Sequence, residues 1–375
     1  MESSAVLKGQ PIYRRARSVG INPNYWYPVS WSEDLKPETV VPVRVWQTPM
    51  ALYRDRNGVA RAMADACPHK GVELHQGEVH GENLVCPYHG WEFDENGSCV
   101  GIPYFPPEQK LPCAQARVYP VREAYGIVWV FPGDAELADQ QALPTVPQYD
   151  EPGWFRVRIP GHFQAHFSIC NENTMDVFHG FLHKDLQGWY DPKLLRLKQH
   201  EDGVDADYQV SYAGILTKLL GLGSRGESAS TRTVSIRYQY PHYATALESV
   251  SALHLMRLPV GPTETKSFSL LFLKLPLPQW LLDSVVARWL EKLILNSIFL
   301  KFLHQDVAMM ESEQRNYSMD PDRSYVEVNP AIIALQRVIV GQYEAGLKNG
   351  SQGDGEPPKE SSIPLSQEVS DGMLV

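Results

Sequence analysis

The sequence predicts an α+β protein with a strand-rich first half and a mixed second half that ends in a long helix. In the first half, valines alternate along residues 41–45, and residues 126–131 (GIVWVF) are β-branched or aromatic after the glycine. In the second half, residues 234–240 (VSIRYQY) alternate with a period of two, and residues 267–273 predict a further strand. A helical stretch then spans about 279–317. Strands followed by a long helix indicate a helix packed across an antiparallel sheet.

The length of 375 residues favours two domains, each with its own core. Residues 140–153 have no hydrophobic period and are typical of a linker, so we place the boundary near residue 145. The expected divisions are an N-terminal extension, a first domain, a second domain and a tail, which span 1–23, 24–145, 146–345 and 346–375. The tail is rich in Gly, Ser, Pro, Glu and Lys without apolar periodicity, which predicts disorder.

The composition excludes several classes of protein. A net charge of −10 argues against a nucleic-acid partner, because backbone binding needs clustered Lys and Arg. Five cysteines over this length do not resemble a disulfide framework and favour a reducing, cytoplasmic compartment. We expect no secretory signal. Residues 13–18 (YRRARS) weakly resemble part of an organelle transit peptide, so an organelle stroma or matrix is the alternative location. Charged residues interrupt 280–303, so we expect no membrane span there, although peripheral membrane contact stays open.

Two short Cys/His hooks form the first candidate site. Cys67-Pro68-His69 is followed, after sixteen residues, by Cys86-Pro87-Tyr88-His89. Two thiolates and two imidazoles can be divided between two irons, with Cys67 and Cys86 on one and His69 and His89 on the other, as in a Rieske [2Fe–2S] centre. Imidazoles remove negative charge from the cluster and raise its potential, so the site is interpreted as an electron relay.

A tetrahedral zinc site is the alternative, since two cysteines and two histidines also satisfy Zn²⁺. Zinc hooks usually pair like with like, whereas each hook here holds one cysteine and one histidine. The mixed hooks therefore favour the cluster.

A second candidate site lies in a stretch predicted to be helical over about 173–185. Asp176, His179 and His183 have helical offsets of three, four and seven, which would place them on one face. Two imidazoles and a distant carboxylate would complete the facial triad of non-haem Fe(II) oxygenases, which leaves positions for O₂. Alone, the H-x-x-x-H spacing also occurs in ordinary helices and in zinc sites.

Together these motifs resemble the Rieske non-haem iron oxygenase family over roughly residues 24–316. The resemblance rests on Cys67-x-His69, Cys86-x-x-His89 and Asn173-x-x-Asp176-x-x-His179-x-x-x-His183. It implies an N-terminal all-β Rieske domain followed by a helix-grip catalytic domain, assembled as a homotrimer. It also implies that the cluster of one subunit lies near the mononuclear iron of its neighbour.

The resemblance assigns roles to the second site. His179 and His183 match the iron ligands, Asn173 and Asp176 match catalytic positions, and Asp176 is the expected bridge between the two metal sites. The carboxylate ligand comes from a C-terminal helix in this family, and Asp306 in residues 304–311 (HQDVAMME) is the match. Many members separate the two histidines by four residues, whereas this chain has three. The rival carboxylates are Glu311 and Glu313, and the reserve histidines are His162, His166 and His304.

The implied activity is that of a terminal oxygenase. Electrons would come from an NAD(P)H-dependent reductase or a ferredoxin, and O₂ would oxidise a small organic substrate by hydroxylation, oxidative demethylation or dihydroxylation. Monooxygenation is favoured because the chain resembles the members with a single type of subunit. The candidates for an apolar substrate pocket are Trp189, Tyr190, Ile215, Leu219, Leu220 and Phe272.

Two other classes of function stay open. A non-enzymatic Rieske electron carrier or iron–sulfur sensor would hold two irons per chain, whereas the oxygenase would hold about three. A zinc-stabilised interaction module would contain neither iron nor labile sulfide.

Overall fold

The structure is a computed structural model that describes residues 9–106, 108–184, 189–212, 230–247, 250–275, 280 and 285–350. Within these residues, helix α1 is Ile12–Ser18, α2 is Phe167–Met175, α3 is Val285–Ile294, α4 is Leu300–Met319 and α5 is Pro330–Gly350. A π-helical turn, Leu295–Phe299, joins α3 to α4. The long predicted helix is thus confirmed as α3 and α4.

The first half of the described chain consists of three small antiparallel sheets, ordered β1-β11-β10, β2-β3-β4-β9 and β5-β6-β7-β8. Their strands are β1 (Tyr27–Trp31), β2 (Thr39–Val45), β3 (Thr48–Arg54), β4 (Ala60–Ala64), β5 (Glu78–His80), β6 (Asn83–Val85), β7 (Glu92–Phe93), β8 (Cys99–Gly101), β9 (Val118–Tyr119), β10 (Val121–Ala124) and β11 (Ile127–Val130). The predicted strands at 41–45 and 126–131 correspond to β2 and β11.

The second half contains a seven-stranded antiparallel sheet, ordered β12-β18-β17-β16-β15-β14-β13, across which α3 and α4 pack. Its strands are β12 (Phe155–Phe163), β13 (Trp189–Gln199), β14 (Gly203–Tyr212), β15 (Ser230–Gln239), β16 (His242–Leu247), β17 (Ser251–Gly261) and β18 (Glu264–Leu273). The α+β class, with an all-β first part and a helix-grip second part, is confirmed. The exact domain bounds stay a prediction.

Alternation along the strands assigns the two faces of this sheet to different layers. In β18, Leu271 and Leu273 pack with the helical layer of α3 and α4. Phe272, which lies between these two leucines, and Phe268 point to the opposite face of the sheet. Phe268 contacts Trp31 of β1 with ring centroids 5.2 Å apart. The all-β part therefore covers one face of the sheet and the helices cover the other.

Two predictions about helices were wrong. The helix predicted at 173–185 instead begins at Phe167 and ends at Met175, because Asp176 takes extended backbone angles (φ −86°, ψ 112°). The tail predicted to begin at residue 346 is helical to Gly350 as the end of α5, whose apolar residues Leu335, Val338 and Ile339 are buried. Residues 351–375 lie outside the described residues.

Two fully buried histidines are held in the neutral form by their hydrogen bonds. His166 donates from Nε2 to the Val19 carbonyl (3.1 Å) and accepts from the Ser168 N–H at Nδ1 (3.2 Å). His242 donates from Nε2 to the Trp26 carbonyl (3.0 Å) and accepts the N–H of Arg257 at Nδ1 (3.2 Å). Burial lowers the pKa of His166 to about 3 and that of His242 to about 4.

We expect stability to fall as the pH drops below about 6.5, the ordinary pKa of histidine, because the unfolded chain then binds protons that the folded chain refuses. At pH 5 each buried histidine should account for about 2 kcal/mol of lost stability. Urea unfolding at pH 7 and pH 5 measures this loss. The variant with His166→Gln and His242→Gln should show a smaller difference between the two pH values, whereas exposed His162→Gln should match the wild type. An unchanged difference in the double variant would contradict the explanation.

Candidate metal centres and active site

Two similar turns present the four residues of the first site. Cys67 lies after β4, where its N–H bonds the Val72 carbonyl (2.8 Å) and its own carbonyl accepts the N–H of Gly71 (2.8 Å). Cys86 follows β6 in the same manner, with its N–H on the Trp91 carbonyl (2.9 Å) and its carbonyl accepting the N–H of Gly90 (3.1 Å). Both glycines have positive φ, 71° and 67°, which favours glycine at these positions.

The donors form two layers, with thiols inside and imidazoles outside. Cys67 and Cys86 are free thiols at 2% and 3% exposure. The rings of His69 and His89 are 4.8 Å apart between centroids, and His69 stacks on Trp91 at 4.6 Å. Burial raises the pKa of the Cys67 thiol, while the nearby backbone N–H groups of His69 and Lys70 lower it. Such amides can stabilise thiolate sulfur, so the set fits a cluster that is bound by two thiolates and two imidazoles.

The second site is built from a turn rather than from one helix face. After α2 ends, a 3₁₀ turn (Phe178–Phe181) carries His179, and His183 follows it. The prediction that Asp176, His179 and His183 share a helical face was therefore wrong. Because a turn is not bound to helical offsets, a spacing of three residues between the histidines still brings both rings together, with centroids 5.3 Å apart.

One carboxylate of α4 meets both histidines. Donor atoms of His179, His183 and Asp306 all lie within 4.8 Å of one another. Asp306 Oδ1 is 3.0 Å from His183 Nε2 and 3.8 Å from His179 Nε2. His183 and Asp306 are buried and His179 is partly so. Two imidazoles and one carboxylate gathered around a common point have the composition of a facial triad.

Neighbouring groups orient these donors. Gln305 Oε1 lies 2.8 Å from His183 Nδ1, and Asn173 Nδ2 donates to Asp306 Oδ1 at 3.4 Å. His179 Nδ1 is buried without a hydrogen bond in the described part of the chain, and Asp176 Oδ2 lies 4.0 Å from it. Burial is the largest effect on the pKa of His179 and lowers it, although Asp306 and Asp176 act in the opposite direction. A neutral imidazole is the form that binds metals.

The alternative carboxylate and histidine ligands interact with other groups or are exposed. Glu311 accepts the backbone N–H of Gln164 (3.0 Å), and Glu313 forms an ion pair with Arg17. His162 pairs with Glu264 at 2.9 Å, and His304 is exposed. Both ring nitrogens of His166 are occupied, as described above. None of these residues belongs to the group of three donors found in the described residues.

A cavity of about 280 Å³ leads to these donors and is mostly apolar. Asp306 and His179 lie in its wall, together with Phe302, which stacks on His183 at 3.7 Å between centroids. Strands of the large sheet form the opposite wall, through residues that include Ile159, Phe163, Val210, Val234, Ile236, Leu253, Leu255 and Arg257.

Of the predicted pocket residues, Trp189 lines this cavity. Tyr190 is exposed, and Phe272 faces the opposite side of the sheet because its neighbours in β18 take the cavity side, so both predictions were wrong. Ile215, Leu219 and Leu220 lie outside the described residues. No motif or spacing in the sequence indicated Gln305, Phe302 or Arg257 as residues of the site.

Known proteins resemble this chain in sequence and in fold. The family model for the Rieske [2Fe-2S] domain matches residues 25–120. The 4beta-methylsterol monooxygenase of Methylococcus capsulatus is 35% identical over 343 residues, which cover 89% of this chain and 92% of that protein. The chain belongs to the Rieske non-haem iron oxygenases. The oxygenase component of dicamba O-demethylase from Stenotrophomonas maltophilia is also 35% identical, over 43% of this chain and 47% of its own.

Solved structures of this family share the fold. Dicamba monooxygenase bound to 3,6-dichlorosalicylic acid superposes with a TM-score of 0.72 at 22% identity, over 87% of this chain and 99% of that chain. The NdmA QL mutant from Pseudomonas putida CBB5 with theobromine gives a TM-score of 0.65 at 20% identity, over 91% and 95% of the two chains.

Membership of the family makes this oxygenase subunit an enzyme that uses a Rieske cluster, a mononuclear iron, an electron donor, O₂ and an organic substrate. Three of its relatives, the methylsterol enzyme, the dicamba enzyme and a toluene-4-sulfonate enzyme, are named monooxygenases or demethylases, which favours insertion of one oxygen atom. Among the described helices, none is long and apolar enough to cross a membrane.

Proposed function

We propose that this oxygenase inserts one oxygen atom into a C–H bond, by hydroxylation or oxidative demethylation, of a largely apolar substrate of the methylsterol class. The observation that carries the proposal is the group of donors His179, His183 and Asp306, of which His179 and Asp306 lie in the wall of an apolar cavity. The match to a methylsterol monooxygenase over nearly the whole length of both chains supports the substrate class. The smaller aromatic substrate named for the dicamba enzyme is the rival class.

In this proposal Cys67, Cys86, His69 and His89 bind the [2Fe–2S] cluster. His179, His183 and Asp306 bind the Fe(II), and the remaining coordination positions are left for O₂. When bound, the cluster supplies electrons one at a time and the iron supplies the place where O₂ is activated.

The other residues prepare this site. Gln305 fixes the ring of His183, Asn173 orients Asp306, and stacking on Phe302 restricts His183 further. The apolar wall excludes water from the reacting centre.

We further propose a homotrimer in which the cluster of one subunit docks beside Asp176 of the next. His89 and the adjoining Tyr88 are exposed, with Tyr88 at 62%, so the outer layer of the cluster site faces outward. Asp176 has 27% of its side chain exposed and lies in the wall of a second, more polar hollow that also reaches His179. A carboxylate there can hold an imidazole of each subunit. A separate NAD(P)H-dependent reductase or ferredoxin would reduce the cluster.

The activity is tested with purified oxygenase, a reductase system, NADH and O₂. We expect a 4-methylsterol to gain one oxygen atom by mass spectrometry, with O₂ uptake that depends on the sterol, whereas dicamba should give little product. Oxidation of dicamba with no sterol product would overturn the substrate class. Full occupancy of both metal sites with no oxygenated product from either compound would contradict the proposed activity.

Cluster ligation is tested by His69→Cys and His89→Cys. A thiolate returns negative charge to the iron that the imidazole leaves neutral, so each variant should keep a [2Fe–2S] cluster at a potential lower by about a few hundred millivolts. Redox titration followed by EPR measures the shift, and the spectrum should approach that of an all-cysteine ferredoxin. Exposed His80→Cys is the control and should leave the potential unchanged. A wild-type spectrum in the His69 and His89 variants would show that these histidines are not ligands.

A further inference from the structure

A buried arginine lies in the wall of the otherwise apolar cavity. Arg257 is on β17, where alternation turns it to the same side as Leu253 and Leu255, and all three line the cavity. Its exposure is 3%. A charged side chain is seldom buried this deeply unless it is paired, so its partners decide what it does there.

The protein satisfies only part of the guanidinium. Nη2 donates to the Cys170 carbonyl (3.2 Å) and to Thr174 Oγ1 (2.7 Å), and the group lies 5.1 Å from the centre of the Phe163 ring. Nε is buried and has no hydrogen-bond partner, and no carboxylate forms an ion pair with Arg257 in the described residues.

Arg257 keeps its charge in this setting. Burial lowers its pKa, yet an arginine titrates so far above neutral pH that the guanidinium stays protonated. The effect of Asp306 on Arg257 is favourable but acts through space, since that carboxylate contacts the two histidines. A buried cation that has an unused N–H donor and no ion-pair partner destabilises the folded protein unless a hydrogen-bond acceptor binds to it.

Small hydroxyl side chains surround this position. Arg257 pairs across the sheet with Ser267, which in turn pairs with Gly161 on β12. Ser267 and Ser269 line the cavity and hydrogen-bond each other at 2.7 Å. Gly161 also lines the cavity, and the Phe163 ring packs against it. Arg257, Ser267 and Ser269 therefore form a polar patch in the cavity wall.

A purely structural role accounts for only part of the arrangement. The two bonds of Nη2 hold α2 against the sheet, because Cys170 and Thr174 both lie on that helix. That role uses one nitrogen, and a neutral donor could perform it. It explains neither the unpaired Nε nor the choice of a permanent cation in an apolar wall.

We propose that Arg257 positions the substrate by donating to a hydrogen-bond-accepting oxygen on an otherwise apolar molecule, with a carboxylate bound best and a carbonyl or hydroxyl bound less tightly. The inference rests on the proposed use of this cavity for substrate. It extends that proposal, because an apolar cavity alone would not select for an oxygen substituent. A carboxylate would supply the missing negative charge, whereas a ketone or an alcohol would satisfy only a donor.

Three ligands of similar shape test this: naphthalene carboxylate, methyl naphthyl ketone and isopropylnaphthalene. Their dissociation constants are measured by calorimetry on the anaerobic holoenzyme without reductase, so the result does not depend on turnover. The wild type should bind the carboxylate about tenfold to a hundredfold more tightly than the hydrocarbon, with the ketone between them, as expected for a hydrogen bond to a charged group. Equal affinity for the three ligands would overturn the proposal.

Arg257→Met should abolish this preference while it retains or improves binding of the hydrocarbon, and Arg257→Lys should keep part of it. Arg56→Met, which removes a surface charge beside Glu38, should leave the preference unchanged. Iron and sulfide contents of each variant confirm that it is folded; should Arg257→Met not fold, the wild-type ratios and Arg257→Lys decide. Preference for the carboxylate that persists in Arg257→Met would also overturn the proposal.

These outcomes are separable from the proposed function. A carboxylate preference that requires Arg257, in an enzyme that oxidises no sterol, would keep the role of Arg257 and contradict the substrate class. Sterol oxidation by an enzyme without the preference would keep the oxygenase and remove Arg257 from substrate positioning.

Discussion

Replacing Asp306 by alanine is expected to lower the iron content from about three to about two per chain and to reduce oxygenation by more than about a hundredfold, while the [2Fe–2S] spectrum stays unchanged. Asp306 supplies the carboxylate of the three converging donors, so its loss leaves only the two imidazoles at that site. Mutation even of outer-shell groups commonly weakens metal sites tenfold to a hundredfold, so loss of a direct ligand should exceed that. Iron and labile sulfide analysis measures the effect directly.

Two carboxylates on the same helix provide matched controls. Glu311 bonds the backbone N–H of Gln164, and Glu313 pairs with Arg17, so neither faces the two histidines. Glu311→Ala and Glu313→Ala should therefore retain about three irons per chain. If either of them lost iron while Asp306→Ala kept it, the carboxylate would have to be reassigned.

The cluster site was accessible to sequence reasoning because its geometry is local. Each hook lies in one turn of a few residues, and Gly71 and Gly90 close the two turns with the same backbone pattern. The spacing of the motif therefore already contains most of the three-dimensional arrangement. Only the division into buried thiols and outward imidazoles needed the structure.

The mononuclear site was less accessible because it joins distant segments. The pairing of His183 with Asp306 spans 123 positions, and no periodicity in the sequence indicates it; the resemblance to the family supplied Asp306. The local prediction failed as well, because an offset of four residues between His179 and His183 suits an α-helix, whereas α2 ends at Met175 and the histidines lie in and after a 3₁₀ turn.

The sequence alone does not indicate which residues of the large sheet line the cavity. Alternation in β17 and β18 separates two faces but does not say which face lines a cavity. For this reason Phe272 was predicted to line the cavity although it faces the other side of the sheet, and Arg257 was not predicted as a residue of the site. An arginine in a strand is usually exposed to solvent. Arg257 is a candidate binding residue because it is buried and its Nε has no hydrogen-bond partner.

Asp176→Asn is expected to leave both metal sites loaded and to slow electron transfer from cluster to iron by about tenfold to a hundredfold, the range that outer-shell substitutions produce. Asp176 Oδ1 accepts the backbone N–H of Phe178 at 2.9 Å, while Oδ2 lies 4.0 Å from the unpartnered Nδ1 of His179. Asparagine keeps the shape and can retain the bond from Phe178, so the turn should persist. It removes the charge that would hold an imidazole on each subunit.

Stopped-flow oxidation of the pre-reduced cluster, with O₂ and a turnover substrate present, measures this step separately from iron binding. Asp139→Asn is the matched control, because that carboxylate pairs with Arg122 at the surface and has 96% of its side chain exposed. In this control variant the cluster should be oxidised at the wild-type rate. A wild-type rate in Asp176→Asn would remove the bridging role. Loss of the mononuclear iron in that variant would instead make Asp176 a ligand, and the assignment of Asp306 would then depend on the iron content of its own alanine variant.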